Sequence, residues 1–197
     1  MGGKVNKFIF ENTKIDGLMI ISPFFNADIR GYFSKNFESE VFLENGINMN
    51  ICESNESLSI KGVLRGLHFQ SEFPQAKLLR VIYGKIFDVA VDLRKNSRTY
   101  GEWQGFYLSR EENKMIYIPK GFAHGFLTLS EKAIISYNCD GSYFPEYDSG
   151  VIWNDFDIGI NWPIDEINSV ILSEKDKQLQ TFKEFDLNSS KHFTNLI

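Results

Sequence analysis

The sequence predicts an all-β fold, two sheets closed into a sandwich or barrel with a few short helices, and three observations carry that prediction. Short runs of β-branched and aromatic residues recur along most of the chain, Gly, Pro, Asn and Ser separate them at even spacing, and helical periodicity is scarce. The first strand run is Leu18 to Ile21. Lys77 to Ile82 follows and, after a Tyr83-Gly84-Lys85 turn, Ile86 to Asp92. Asn96-Ser97 breaks the pattern, which resumes at Met115 to Ile118, turns at Pro119-Lys120-Gly121, and runs again from Ala133 to Tyr137 before Asp140-Gly141-Ser142. Within Phe87 to Asp92, alternation places Asp88, Ala90 and Asp92 on one face and Phe87, Val89 and Val91 on the other. Acids on the inward face of a barrel would mark a site; on the outward face they would be solvated. Glu38 to Asn45 reads as a short helix. A second is expected from Ser173 through Phe182, opened by capping-box-like spacing between Ser173 and Asp176.

With 197 residues the chain fits one domain, a barrel core over about 15–162 with a helical appendage over about 163–197, and no repeat or linker divides it. The 43% hydrophobic content and 18 Phe are enough to bury a real core. A formal charge of -5 and no basic run argue against a nucleic-acid partner, so an anionic ligand would need a local basic pocket. Cys52 and Cys139 form neither a disulfide framework nor a CxxC motif, which points to buried free thiols and a reducing compartment. The N-terminus lacks the apolar core of a signal peptide and no run approaches the length of a membrane span, so a cytoplasmic protein without a membrane partner is expected.

Chemistry concentrates around two of the three histidines. His68 lies in Leu64-Arg65-Gly66-Leu67-His68-Phe69-Gln70 and His124 in Pro119-Lys120-Gly121-Phe122-Ala123-His124-Gly125-Phe126, each flanked by glycine that permits close approach. His192 sits in a polar tail and reads as solvated. No HxH pair occurs, so the ligand count disfavours a metal. A His beside an acid, with a Lys and a Tyr in the same pocket, would suit metal-free proton transfer at carbon: a base takes a weakly acidic C–H, a cation or donor holds the enolate, and an acid returns the proton. On residue type alone, Asp176 in Ser-Glu-Lys-Asp-Lys reads as solvated helix surface, Tyr137 as a packing aromatic and Lys77 as an ordinary strand lysine. Arg65 is harder to dismiss, since an unpaired guanidinium among apolar neighbours is costly.

Seven blocks, in order from about residue 15 to 180, resemble the dTDP-4-dehydrorhamnose 3,5-epimerase family. They are Asp28–Phe33, Asn55–Ser59, Val63–Gln70, Gln75–Leu78, Asp88–Arg94, Ile118–Phe126 and Gly150–Asp155. The resemblance implies a cupin-type double-sheet jelly-roll barrel, a homodimer, and a dTDP-4-keto-6-deoxyhexose substrate inverted at C3 and C5 without a cofactor. Carried over by position, His68 resembles the general base, Asp176 its orienting carboxylate, Tyr137 the acid on the opposite face and Lys77 the stabiliser of the enolate oxygen. Arg65 and His124 resemble pocket residues around the sugar and phosphates, with Asp88 behind His124 and Gln70 a further substrate contact. Arg30 and Phe33 match positions that reach the nucleotide across a dimer interface, and Asn55 and Tyr143 are further nucleotide candidates.

Two positions depart from the family pattern: Lys35 stands where Glu is common, and Glu53 where Gln is expected. A charge-swapped Lys35–Glu53 pair would reconcile them. The departures bear on substrate identity more than on reaction type. A single-centre epimerase, an epimerase of another keto-deoxysugar nucleotide, and a sugar-binding or metal-dependent barrel remain the alternatives.

Overall fold

The computed structural model describes residues 7–188 and Phe193; His192 lies outside them. The strands are β1 (Ile9–Asn12), β2 (Met19–Ser22), β3 (Phe24–Asp28), β4 (Gly31–Lys35), β5 (Ile51–Ile60), β6 (Leu64–Gln70) and β7 (Ala76–Tyr83). They continue as β8 (Lys85–Asp92), β9 (Trp103–Ser109), β10 (Met115–Ile118), β11 (Phe122–Thr128), β12 (Lys132–Asp140) and β13 (Asp148–Gly150). Helix α1 (Ser39–Glu44) falls inside the span expected from sequence, and α2 (Phe182–Asn188) lies near the C-terminus.

One sheet of six strands has the order β1-β2-β10-β7-β12-β5, and a second of five has the order β13-β6-β11-β8-β9. All the pairings within them are antiparallel. Between the sheets lies a core that includes Leu79, Val81, Ile116 and Ile135 from one and Ile86, Ala90, Phe106 and Phe126 from the other. Each large side chain among them, fully buried, contributes about 1.5–3 kcal/mol.

Both sheets are also covered from outside. Helix α1 places Phe42 and the following Ile47 and Met49 against Leu78 and Met115 on the back of the six-stranded sheet. The chain after β13 wraps the back of the five-stranded sheet, setting Ile158, Trp162, Phe185 and Phe193 on Phe69, Phe87, Val89 and Val91. Thus both faces of β8 are buried, which is why its sequence is a nearly continuous apolar run. Backbone hydrogen bonds tie this wrap to the barrel edge, Leu64 N–H to Ile171 O at 3.0 Å and Ile152 N–H to Gln180 O at 2.8 Å. Of the two free thiols, Cys139 is buried as expected, whereas Cys52 is exposed because it takes an outward position on β5, the last strand of its sheet.

The expected helix from Ser173 through Phe182 is not formed. That stretch holds a single 3₁₀ turn at Asp176–Gln178, and α2 starts at Phe182. The capping box belongs to Thr181 and Glu184: Glu184 Oε2 accepts the Thr181 N–H at 2.8 Å, and Thr181 Oγ1 accepts the Glu184 N–H at 3.2 Å. The Ser173–Asp176 spacing makes a turn instead, with the Asp176 N–H donating to Ser173 Oγ at 3.0 Å.

Of the acids alternating along β8, Asp92 is structural. Fully buried, it accepts Arg94 Nε at 2.9 Å, Ser97 Oγ at 2.6 Å and Thr99 Oγ1 at 2.7 Å, closing the loop after the strand. Burial pushes its carboxyl up, but Arg94, Ser97 and Thr99 outweigh this and hold it below the ordinary carboxylate value. A lowered folded-state value means the stabilisation is complete above the unfolded pKa and is lost as pH falls through the folded one. Asp92→Ala strands the Arg94 guanidinium, 7% exposed, and should cost about 3–5 kcal/mol, read as a lower midpoint in urea unfolding.

The β3–β4 hairpin stands outside both sheets. Phe25 stacks on Tyr32 with ring centroids 5.4 Å apart, and the Arg110 guanidinium lies 4.1 Å from the Tyr32 centroid. Arg30 and Phe33 are exposed.

Candidate active site

Strands β6 and β11 approach unusually closely. Gly66 has φ +113, and a Cβ there would meet Gly125 Cα at 2.5 Å, so neither a side chain nor an ordinary backbone conformation fits. The register shifts by a bulge between His124 and Phe126, which sets His68 directly opposite His124.

Each histidine has its own carboxylate. His68 Nε2 lies 2.5 Å from Asp176 Oδ1, and His124 Nε2 lies 2.7 Å from Asp88 Oδ2. Asp176 is 3% exposed, far from the solvated helix surface its charged run suggested. Burial raises its carboxyl, and the His68 ring, Ser173 and Lys175 more than offset that, leaving it below the ordinary carboxylate value. An ionised carboxylate only accepts, so it holds the His68 proton on Nε2 and leaves a lone pair on Nδ1. Asp88 is fully buried on the inward face, as a site acid would be, and its Oδ1 has no hydrogen-bond partner among the described residues.

The cavity has two lobes. The first, of about 520 Å³, is lined by Glu53, Asn55, Gln70, Gln75, Tyr143 and Asp148 among others; the second, of about 470 Å³, by Ser57, Arg65, His124, Ser173, Lys175 and Asp176. His68, Lys77 and Tyr137 line both and so stand where the lobes meet. The Lys77 ammonium, carried on β7, forms no hydrogen bond or ion pair with another described side chain, and burial lowers its pKa. Tyr137 on β12 likewise keeps its hydroxyl free of described partners, and burial raises its pKa. Among the described residues, no three His, Cys, Asp or Glu side chains converge as metal ligands would.

The other expected residues are distributed unevenly. Arg65 is exposed at the surface side but held against β5, with Nε donating to Ser59 Oγ at 3.1 Å. Gln70 is saturated by backbone, donating to Phe73 O and Ser142 O and accepting the Phe144 N–H, so it fastens two loops beside the first lobe. Tyr143 donates its hydroxyl to Asp148 Oδ2 at 2.6 Å, which pushes its pKa up to about 12. Arg30 and Phe33 line neither lobe: in a single chain the hairpin carries them elsewhere, and Arg30 pairs with Asp28. The Lys35–Glu53 pair does not form. Lys35 bonds Glu38 at 2.8 Å, its neighbour across the short β4–α1 link, while Glu53 accepts the Tyr143 N–H at 2.6 Å.

Two charged lining residues escaped the sequence reading. Asp148 and Lys175 form an ion pair between the lobes. Nothing in Tyr-Asp-Ser-Gly or Glu-Lys-Asp-Lys distinguishes them from solvated charges.

This arrangement can take a proton from carbon on one side and return it on another, with a cation at the junction. Comparison with known proteins identifies the lineage. The family model described as dTDP-4-dehydrorhamnose 3,5-epimerase matches residues 12–184. The chain belongs to this family. It is 54% identical over 178 residues to the dTDP-4-dehydrorhamnose 3,5-epimerase of Methanothermobacter thermautotrophicus, covering 90% of this chain and 96% of that one. Identity to the Escherichia coli K12 protein of the same name is 44% over 174 residues, 87% and 93% of the two chains. Among solved structures, the dTDP-6-deoxy-D-glucose-3,5-epimerase of Legionella pneumophila Philadelphia 1, in complex with dTDP-4-keto-L-rhamnose, superposes with a TM-score of 0.87 at 42% identity, covering 91% of this chain and 95% of that one. The family's cupin jelly-roll matches the two-sheet barrel described above. The chain is an isomerase of this epimerase type. No helix among the described residues is long and apolar enough to cross a membrane.

Proposed function

We propose that the protein, as one domain over residues 1–197, inverts C3 and C5 of dTDP-4-dehydro-6-deoxyglucose to give dTDP-4-dehydro-L-rhamnose, with no cofactor taking part. The observation that carries this reading is the junction itself: the His68–Asp176 dyad, Lys77 and Tyr137 converge where the two lobes meet.

The C4 ketone acidifies the hydrogens on both C3 and C5, so one base can serve both centres. His68 Nδ1 removes a proton, the C–H electron pair moves into C4=O, and the resulting enolate oxygen is held by the Lys77 ammonium. Asp176 keeps the imidazole oriented and stabilises its charged form. Tyr137 then delivers its hydroxyl proton to the opposite face of the carbon. Solvent returns the imidazolium proton to the phenolate and resets the site.

The arginine of the second lobe supports placing the diphosphate there, Lys175 being shared with Asp148. Arg65 and Lys175 line the second lobe, beside His124, whereas the first carries the acids Glu53 and Asp148. On this reading the anion lies in the second lobe, with the His124–Asp88 dyad behind it. Arg30 and Phe33 fit this reading as groups presented to a second copy: they project on a free hairpin, and β5, at the edge of its sheet, exposes Leu58 and Ile60. A homodimer would bring them to the partner's nucleotide.

Incubation with dTDP-4-dehydro-6-deoxyglucose in D₂O tests the proposal. Deuterium should enter at both C3 and C5, with the L-rhamno configuration appearing in the NMR spectrum. Exchange at one carbon would mean a single-centre epimerase, and no exchange would remove this substrate.

A further inference from the structure

Glu53 and Asn55 project into the first lobe from alternate positions of β5. Glu53 uses both carboxylate oxygens. Its Oε1 accepts the Tyr143 N–H at 2.6 Å, and its Oε2 accepts Asn55 Nδ2 at 3.3 Å. The second contact fixes the polarity of the Asn55 amide, because a carboxylate can only accept and so only the NH₂ end can face it. Asn55 Oδ1 is thereby turned away from Glu53, and the same NH₂ end lies against the Cys139 thiol, which leaves the oxygen facing neither.

We propose that Glu53 is a positioning residue for substrate specificity: it sets Asn55 to present a carbonyl oxygen to the first lobe, which then accepts a hydrogen bond from a neutral donor of the substrate. The inference rests on the sugar-nucleotide reading above and adds which polarity the first lobe recognises. Two parts of such a substrate carry a neutral donor, the nucleoside, through a base N–H or the deoxyribose hydroxyl, and the hexose, through its hydroxyls. The chemistry is the same in either case, a donor meeting the Asn55 oxygen.

Glu53→Gln separates this role from a structural one. The introduced glutamine can still accept the Tyr143 N–H through its carbonyl, so the loop anchor survives. Its NH₂ now faces Asn55, which must turn its own oxygen inward and offer NH₂ to the lobe. A donor then meets a donor. The double variant E53Q/N55D repairs this at the original net charge: one oxygen of the introduced aspartate accepts from the glutamine amide, and the other faces the lobe.

Calorimetric titration with dTDP and with dTDP-glucose reads the result. E53Q should weaken binding on the order of tenfold, and E53Q/N55D should recover most of the loss. Simple electrostatics predicts the opposite for the single variant, because removing a negative charge from a cavity that takes an anionic ligand tightens binding even from the neighbouring lobe. A loss seen already with dTDP places the donor on the nucleoside, and a loss confined to dTDP-glucose places it on the hexose. Unchanged or tighter binding by E53Q, or a double variant no better than the single one, overturns the inference, circular dichroism checking that each variant is folded. Wild-type protein that binds neither probe would instead count against the sugar-nucleotide reading itself.

Discussion

His68→Asn should abolish both deuterium uptake and epimerisation while leaving the barrel folded. The side chain is only partly buried and contributes no core packing, so Asn fits without a cavity in the apolar interior. In the proposed mechanism it removes the lone pair that takes the proton, and loss of a general base costs on the order of 10²–10⁴-fold or more. Asp176→Asn should cost less, because the imidazole remains and loses only its partner's charge. The Asn amide can also present NH₂ to Nε2 and drive the proton to Nδ1, the wrong nitrogen for abstraction, so activity should still fall well below wild type. Substantial exchange by the His68 variant would place the base elsewhere, and wild-type turnover by the Asp176 variant would reduce that carboxylate to a bystander.

Tyr137→Phe should divide two rates that a structural residue would lower together. The phenyl ring keeps its place against the inter-sheet core, and only the hydroxyl is lost. His68 and Lys77 remain, so the enolate still forms and substrate hydrogen still exchanges with D₂O, deuterium returning from the face it left. Inversion should drop on the order of 10²–10⁴-fold, the range for losing a proton-transfer group, with exchange far less affected. NMR of the recovered sugar nucleotide gives deuterium content and configuration in one sample. Unimpaired inversion would exclude Tyr137 as the acid.

The strand ladder was legible because the runs around Lys77, Asp88, Met115 and Ile135 are apolar and bounded by turn residues. Strand β5 was less so: its outward positions, Ser54 and Glu56, are as polar as the inward Glu53 and Asn55, and alternation is invisible when both faces are polar. The C-terminal helix was misplaced because Ser173-x-x-Asp176 and Thr181-x-x-Glu184 carry the same capping signal, and only packing of Phe185 on Phe69 selects the second. In the site, glycines beside His68 and His124 announced a close approach, which the Gly66–Gly125 contact bears out. Asp176 was legible only through resemblance, since its burial arises from contacts 108 residues away in sequence.

The origin of Asp176 in the C-terminal wrap, rather than on a barrel strand, has a consequence during synthesis. Every strand of both sheets has been translated by Gly150, so the barrel can close on a nascent chain whose His68 still lacks its carboxylate. The dyad forms only after the following residues have left the ribosome and docked along β6 and β13. On the proposed mechanism, a product that stops short of this segment keeps the imidazole without its carboxylate and should share the reduced activity expected of Asp176→Asn.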